Sequence, residues 1–565
     1  MPTIDIEVAE FEKLLGRRYG GDIEKLDDAL AFVKAEVKLY NRAEDTLSIE
    51  MKDTNRPDLW SAEGLARGLR CYLNIDRGMR EYHATAPMAE VHVDPRLRNI
   101  RPYICCSIVK DVRLTDVTIR GLMHLQDKLD QTYGRNRQKT SIGIYDYSLI
   151  TMPLSYTVTK PEDISFVPLG FEEKMNLAEI LERHPKGQEY GHIVKKYSVY
   201  PILLDAKRKV LSFPPIINSN DLGRVTEDTK HLLVEVTGTL HQTVLNTLNL
   251  VTMALVDRGG KACSTTVHYQ GRESPIVTPD FRSKRVPLSV DFANHILGLQ
   301  LTGERMAELL TTAGFGIENA TDESVVALVP CYRTDIMHPV DLVEDVAVAY
   351  GYNNIEMCWR ELPTTGAARP EQHAVDTARE LMIGAGYQEI LTYTLTNPEN
   401  LFAKMGCQAM PTIEVANPKV VTMTCLRSWL LPSLMEFLSN NQSVEFPQRI
   451  FELGRVTIPD NASETRARDE EWLAVVTAHP NAGFSEIKAV LDTFLTNLGL
   501  AWQIQPTDHP SFIEGRAGSA TVNGVRIGVL GEVSPRVLEA WKLENPVAAF
   551  EISIQAVIDL WRGKV

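Results

Sequence analysis

Four acidic residues, Asp335, Asp341, Glu344 and Asp345, sit close together in CYRTDIMHPVDLVEDVAVAYGYNNI, residues 331–355. Pro339 suits the first position of a helix, where its missing N–H costs nothing. A helix starting there puts Asp341, Glu344 and Asp345 on one face by the i, i+3, i+4 rule, with Asp335 on the extended approach. Converging carboxylates repel unless a cation or nearby Arg and Lys neutralise them. Magnesium is the natural occupant, because it prefers oxygen ligands and keeps some of its waters. The same residues have a second reading without metal: acids in a first helical turn are favoured by the helix dipole, and Arg333 can pair with one of them.

The rest of the chain must position such a cluster. At 565 residues it has room for about three to five domains. No apolar run reaches the roughly 18–20 residues that span a membrane. The start, MPTIDIEVAEFEKLLG, lacks the basic opening and apolar core of a signal peptide, so the expected setting is cytoplasmic with no membrane. The eight cysteines form no Cys-x-x-Cys pair, which argues against zinc ribbons and thioredoxin-like chemistry. A formal charge of -15 argues against coating nucleic acid by bulk electrostatics. It leaves room for local contacts at Arg135-Asn136-Arg137-Gln138-Lys139 and Lys195-Lys196, each read as a solvated face ahead of an RNA site.

Pattern divides the chain into four, making it an α+β multidomain protein. Residues 1–88 read as an N-terminal α+β domain ending in KDTNRPDLWSAEGLARGLRCYL, where Asp58 or Ser61 caps a helix. Residues 89–275 alternate strands such as PYICCSIVKDV and HLLVEVTG with the amphipathic helix IRGLMHLQDKLDQTYG, and predict a substantial sheet. Residues 280–357 read as a compact helical unit, winged-helix-like, with Thr302 capping its second helix and a strand leading into the acids. A DNA-binding winged helix is the rival there, against which stands the lack of a concentrated basic face. Residues 358–565 alternate long helices with strands such as RIFELGRVTI and predict an antiparallel sheet domain.

The stretch YRTDIMHPVDLVEDVAVAYGYNNI resembles the beta subunit of phenylalanine–tRNA ligase, of the archaeal and eukaryotic cytosolic type. The resemblance implies that Asp335, Asp341, Glu344 and Asp345 ligate Mg2+, in a domain of the B5 kind. It makes 89–275 an editing domain of the B3/B4 kind. It makes 358–565 a class II synthetase-like core, whose FELGRV strand resembles the second motif of that class. That motif runs on into Phe-Arg-x-Glu, whereas here the chain continues Thr457-Ile458-Pro459-Asp460, and the third motif is absent. Phosphoryl chemistry needs positioned positive charge, so this core is expected to be catalytically silent, with Arg427 and Arg455 in structural ion pairs. Partners implied are an alpha subunit in a two-alpha, two-beta tetramer, tRNA(Phe), and ATP and phenylalanine through alpha.

Editing is the other implied activity, removal of tyrosine from mischarged tyrosyl-tRNA(Phe). LSFPPIINSNDLGRVTEDTKHLLVEVTGT, residues 211–239, resembles the lining of that site. Strand alternation puts Glu235 and Thr237 on one face, where Glu235 can accept a hydrogen bond from the tyrosine hydroxyl with Thr237 nearby. Ser212, Asn218 and Ser219 are candidates to hold the ester or its attacking water, and Leu203 to form an apolar wall. No Ser/His/Asp arrangement is readable, so direct water attack is expected. His231, His241 and His268 are read as structural. The alternatives are a structural and tRNA-positioning subunit without editing, and a free-standing magnesium-dependent hydrolase built on the acid quartet.

Overall fold

Two runs rich in β-branched residues, Tyr103–Lys110 and Leu232–Gly238, pair antiparallel near one edge of a ten-stranded sheet. The computed structural model describes residues 2–271, 274–359 and 364–561, and divides into two compact units, Met1–Trp359 and Arg360–Val565. The sheet belongs to the first. Its strand order is Ile217–Asn218, Val210–Phe213, Tyr200–Leu204, Leu154–Thr159, Thr85–Val93, Lys261–Tyr269, Tyr103–Lys110, Leu232–Gly238 and Thr140–Asp146, with Ile276–Thr278 added beside Lys261–Tyr269. Thr85–Val93 pairs parallel with both its neighbours, and the other pairings are antiparallel. The sheet therefore begins before residue 89 and ends beyond 275, at both edges of the span expected from sequence pattern.

Helices Asp116–Gln131 and His241–Asp257 cover one face, packing on Val234 and Val236. Leu203, Leu211, Tyr145 and Tyr156 pack with Leu233 on the other. Every residue of Leu232–Gly238 is consequently buried. Around this sheet the first unit adds two smaller modules. A three-stranded sheet of Thr3–Glu7, Thr46–Met51 and Ala35–Asn41 carries the helix Ala62–Tyr72, capped by Ser61, whose hydroxyl accepts from Gly64 N at 3.1 Å. Asp58, the other candidate cap, instead takes both arms of Arg56 at 2.9 and 2.8 Å. A second three-stranded sheet, Lys284–Ser289, Ser324–Val329 and Gly316–Ala320, packs with Val290–Leu297, Gly303–Thr312 and Pro339–Tyr350. Thr302 caps the middle helix, accepting from Arg305 N.

The second unit is a seven-stranded sheet ordered Gln388–Glu389, Gln448–Pro459, Ala467–Ala478, Val547–Ser553, Val525–Val533, Phe512–Val522 and Trp502–Pro506. All its pairs are antiparallel except the first. Pro370–Gly384, Phe484–Asn497 and Ile554–Trp561 build one core with it, and Leu431–Asn440 builds another. Arg427 is buried and paired with Glu452 at 2.7 Å, and Arg455 is paired with Glu471 at 2.8 Å on the surface. Both oxygens of buried Glu551 accept from the backbone at the start of a helix, Leu430 N at 2.7 Å and Leu431 N at 2.9 Å. The chain is thus a multidomain α+β protein, and among the described residues no helix is long and apolar enough to cross a membrane.

Removing one partner of a buried ion pair leaves an uncompensated charge. Arg427→Met should therefore destabilise the second unit by about 3–5 kcal/mol, while Arg455→Met, at the exposed pair, changes it by about 1 kcal/mol or less. Denaturant unfolding followed by the fluorescence of Trp429, Trp472 and Trp541 measures both.

Candidate active site at the edge of the large sheet

Glu235 is 2 % exposed in a strand buried on both faces. It looks onto a cavity of about 350 Å³ whose walls include Ser141, Ser212, Asn218, Phe213, Ile142 and Leu122. The cavity exists because the sheet curls until its two outermost strands approach. Tyr145, on the edge strand Thr140–Asp146, donates to Glu235 Oε2 at 2.7 Å and lies 3.4 Å from Asn218 Oδ1 on the opposite edge strand. Arg137, just before that edge strand, donates to the carbonyls of Pro215 and Ile216 at 3.2 and 2.9 Å and closes the same seam.

The electrostatics follow from burial. Desolvation pushes the Glu235 carboxyl up to about 7, against the opposing pull of Tyr145 and Arg101. Burial likewise raises Tyr145 far above the usual phenol range, so its hydroxyl stays a donor. Glu235 Oε1 is buried with no hydrogen-bond partner. The Thr237 hydroxyl, already committed to Arg101 and Ser141, favours the charged form of Glu235 only mildly. One acceptor at the cavity floor is therefore desolvated and open, an arrangement that rewards a ligand bringing a hydroxyl or N–H and penalises one that brings none. Gly143, directly across from Glu235 in the sheet, makes this geometry possible: a Cβ there would fall 2.2 Å from the Tyr145 hydroxyl and 2.4 Å from Glu235 Oε2.

Of the residues expected from sequence, Glu235, Ser212 and Asn218 meet at the cavity. Thr237 shares the strand face with Glu235, but its side chain is fully buried behind the cavity, accepting from Arg101 Nε at 2.9 Å and lying 3.2 Å from Ser141 Oγ. Ser219 is also buried behind it, accepting from Leu222 N, and Leu203 packs in the core as the register partner of Ser212. Sequence reasoning missed Tyr145, Gly143 and Arg101. The first two lie in TYGRNRQKTSIGIYD, residues 132–146, a stretch that resembles the family motif before the editing site; nothing singled out Arg101. The histidines have structural partners: Asp111 N donates to His231 Nδ1, His241 packs edge-on to Tyr103, and His268 stacks on His92.

The four acids of the second module are placed differently. Asp335 and Asp345 both turn onto the buried Arg333, each with an oxygen 2.7 Å from its guanidinium, and Arg56 adds a contact to Asp335 at 3.7 Å. Burial opposes charge on Asp335, but Arg333 and Arg56 outweigh it and hold this carboxyl below its usual range. Burial keeps Asp345 above its usual range despite Arg333. Asp341 takes the backbone N–H groups of Met337 and His338, both at 2.7 Å, as a helix cap. Glu344 pairs with Lys34. Among the described residues no group of three or more His, Cys, Asp or Glu side chains is arranged to hold a metal. As placed, this donor set does not fit one ion shared by all four, because basic side chains and backbone N–H groups already occupy the carboxylates.

Two modules match the families of tRNA-charging enzymes. Residues 286–352 match the tRNA synthetase B5 domain, and residues 355–554 match the phenylalanyl tRNA synthetase beta chain CLM domain. An antiparallel sheet unit joined to a B5 module and a large cavity-bearing sheet defines a subunit of the aminoacyl-tRNA synthetase class. The chain is 42% identical to the phenylalanine–tRNA ligase beta subunit of Pyrococcus abyssi, over 98% of this chain and 99% of that protein. It is 37% identical to that of Methanothrix thermoacetophila, over 98% and 100%. A crystal structure of an N-terminal fragment of the phenylalanyl-tRNA synthetase beta subunit from Pyrococcus horikoshii aligns at a TM-score of 0.60 and 39% identity, covering 62% of this chain and 100% of the fragment. The chain belongs to the phenylalanine–tRNA ligase beta subunit family.

The raised Glu235 carboxyl has a consequence for stability. Because the folded state holds this proton more tightly than the unfolded chain, its contribution is greatest at low pH and is lost as pH rises from about 4.5 through about 7. Glu235→Gln removes that loss. The variant should gain stability over the parent as pH rises from 5 to 8, by at most about 3 kcal/mol at about 1.4 kcal/mol per pH unit. Parallel unfolding curves across that range check it, and a pH-independent difference would contradict it.

Proposed function

We propose that this chain is the beta subunit of a phenylalanine–tRNA ligase, assembled with an alpha subunit as two alpha and two beta chains. The complex attaches phenylalanine to tRNA(Phe) with ATP, in the cytoplasm, and the cavity at Glu235 hydrolyses tyrosyl-tRNA(Phe). Near-full-length likeness to beta subunits supports the first part. The second rests on one observation, the desolvated, unpartnered Glu235 Oε1 at the cavity floor. In this reading residues 89–275 form the editing domain and 280–357 a B5-like domain. Residues 358–565 form a class II-like core without ligation chemistry, consistent with Arg427 and Arg455 being committed to Glu452 and Glu471. ATP and phenylalanine are bound by alpha.

An apolar pocket for phenylalanine rejects tyrosine only about a hundredfold. The editing cavity works by the opposite rule. The phenol of tyrosine donates to Glu235 Oε1, and the Tyr145 hydroxyl holds Oε2 in place. Phenylalanine would bury that acceptor unpaired, a cost that favours its exclusion. Ser212 and Asn218 hold the ester and a water. That water attacks the ester carbonyl, the bond to the tRNA 3′ oxygen breaks, and free tyrosine and an intact tRNA hydroxyl result. Magnesium enters this function with ATP on the alpha subunit, and no step here passes through the acid quartet. A site for the ion at Asp335, Asp341, Glu344 and Asp345 requires Arg333 to leave two of them.

Timed hydrolysis of tyrosyl-tRNA(Phe) and phenylalanyl-tRNA(Phe) by the purified complex tests the reading. Rapid loss of tyrosine alone is expected, with Glu235→Ala cutting the preference for tyrosine at least about a hundredfold. Hydrolysis no faster than the spontaneous rate, from a complex that still charges phenylalanine, would reduce this chain to a scaffold. Arg333→Met tests the acid cluster separately: freeing Asp335 and Asp345 should cost about 3–5 kcal/mol in a chelator. Millimolar magnesium should recover part of that loss only if the freed acids can then share an ion.

A further inference from the structure

One charged group beside the cavity has no part in the hydrolysis described above. Arg101 is 2 % exposed, and its guanidinium contacts neutral acceptors throughout. Nε and one terminal nitrogen grip Thr237 at its hydroxyl (2.9 Å) and its carbonyl (2.7 Å). The same terminal nitrogen reaches Ser141 Oγ at 3.0 Å, and the other donates to the Arg137 carbonyl at 3.0 Å. No carboxylate lies within ion-pair distance of it among the described residues. A buried cation without a partner is costly to hold, and evidence that it is unwelcome in its surroundings is the way burial lowers its pKa.

Its three anchor points belong to three segments. Thr237 lies on the Glu235 strand, Ser141 on the neighbouring edge strand, and Arg137 in a turn where Arg135, Asn136 and Arg137 all have left-handed backbone, φ 50°, 50° and 63°. Three consecutive non-glycine residues rarely adopt that conformation without outside support. Arg137 in turn pairs with Asp130 at 3.1 Å and lines the cavity. The groups facing Glu235 from its surroundings are Tyr145 on the edge strand, Cys106 on the inner neighbour and Tyr156 across the layer, with Thr237 on its own strand. Arg101 supplies the positive charge that acts on Glu235, while Arg137, Lys186, Arg224 and Asp127 line the wider cavity.

We propose that Arg101 is the positioning residue of this cavity: it locks Thr237, Ser141 and the left-handed turn into one frame behind Glu235, and so fixes where that carboxyl group meets the phenol of a misattached tyrosine. The inference rests on the editing reading for its substrate but not for the frame itself. Arginine suits the position because its planar fork reaches several acceptors at once, which a lysine ammonium cannot reproduce.

Arg101→Lys keeps the charge but loses the fork, and Thr237→Val removes the hydroxyl anchor while leaving Arg101 in place. The first readout needs no substrate: the pH midpoint of the stability difference between each background and the same background carrying Glu235→Gln. Arg101→Lys should move that midpoint upward by about one pH unit, and Thr237→Val by less, in the same direction. The second readout is hydrolysis of tyrosyl-tRNA(Phe) by the complex across pH. At neutral pH, kcat/KM for Arg101→Lys should fall about fivefold, the loss of ionised carboxylate that a one-unit rise from about 7 produces, and should recover as pH rises. An unmoved midpoint in both folded variants overturns the proposal, as does a loss of activity that rising pH does not restore. If Arg101→Lys does not fold, Thr237→Val decides by the same two readouts. A shifted midpoint with no hydrolysis by the parent complex would overturn the editing reading and leave the Arg101–Glu235 frame standing.

Discussion

A carboxylate on a strand buried on both faces must be compensated by the layer around it, and the large sheet is arranged about that constraint. Val234 and Val236 turn to the helices, while Leu233, Glu235 and Thr237 turn to the opposite layer. An alkane core could accept Leu233 but not the other two. Tyr145 and Arg101 satisfy them from neighbouring segments, and Gly143 leaves the space the arrangement needs. Each is a different solution to one desolvation cost: a hydroxyl that stays protonated, a cation held by neutral acceptors, and a missing side chain. Two buried polar atoms of residues that line the cavity are left without a partner among the described residues, Glu235 Oε1 and Ser212 Oγ.

The acid cluster of the second module meets the same constraint by another route. Its four carboxylates are not brought to a common point but distributed among Arg333, Arg56, Lys34 and a helix start. Arg333 also lies over the ring of Phe315, 4.8 Å from its centroid, so it fills core volume as well as neutralising charge. The module is thereby fastened to the N-terminal one through Lys34 and Arg56, which ties the first unit together across most of its length.

What the sequence made legible was local. The 3.6-residue period put Asp341, Glu344 and Asp345 on one helix beginning at Pro339, and the caps at Ser61 and Thr302 were readable from residue type. The period-2 pattern placed Glu235 and Thr237 on one strand face, which the structure bears out. Alternation is silent on depth, however, and only one of the two reaches the cavity. Neutralising partners were hidden for a similar reason. Lys34 meets Glu344 across 310 positions and Arg101 meets Thr237 across 136, and no local pattern reports such pairings. Ser212 and Asn218 were recognised by likeness to a family, not by any property of their own spacing.

The seam between the two outermost strands has a temporal meaning. Tyr145 meets Asn218 across 73 positions and Glu235 across 90, so the seam that closes the cavity is made of distant contacts. Such contacts form late, after the entropy of closing long loops has been met. A ribosome must therefore release nearly the whole sheet before any cavity exists, and the first fraying of either edge strand dissolves it again. An intact cavity is in effect a report that the sheet has finished folding, so a partly folded chain has no such cavity to offer.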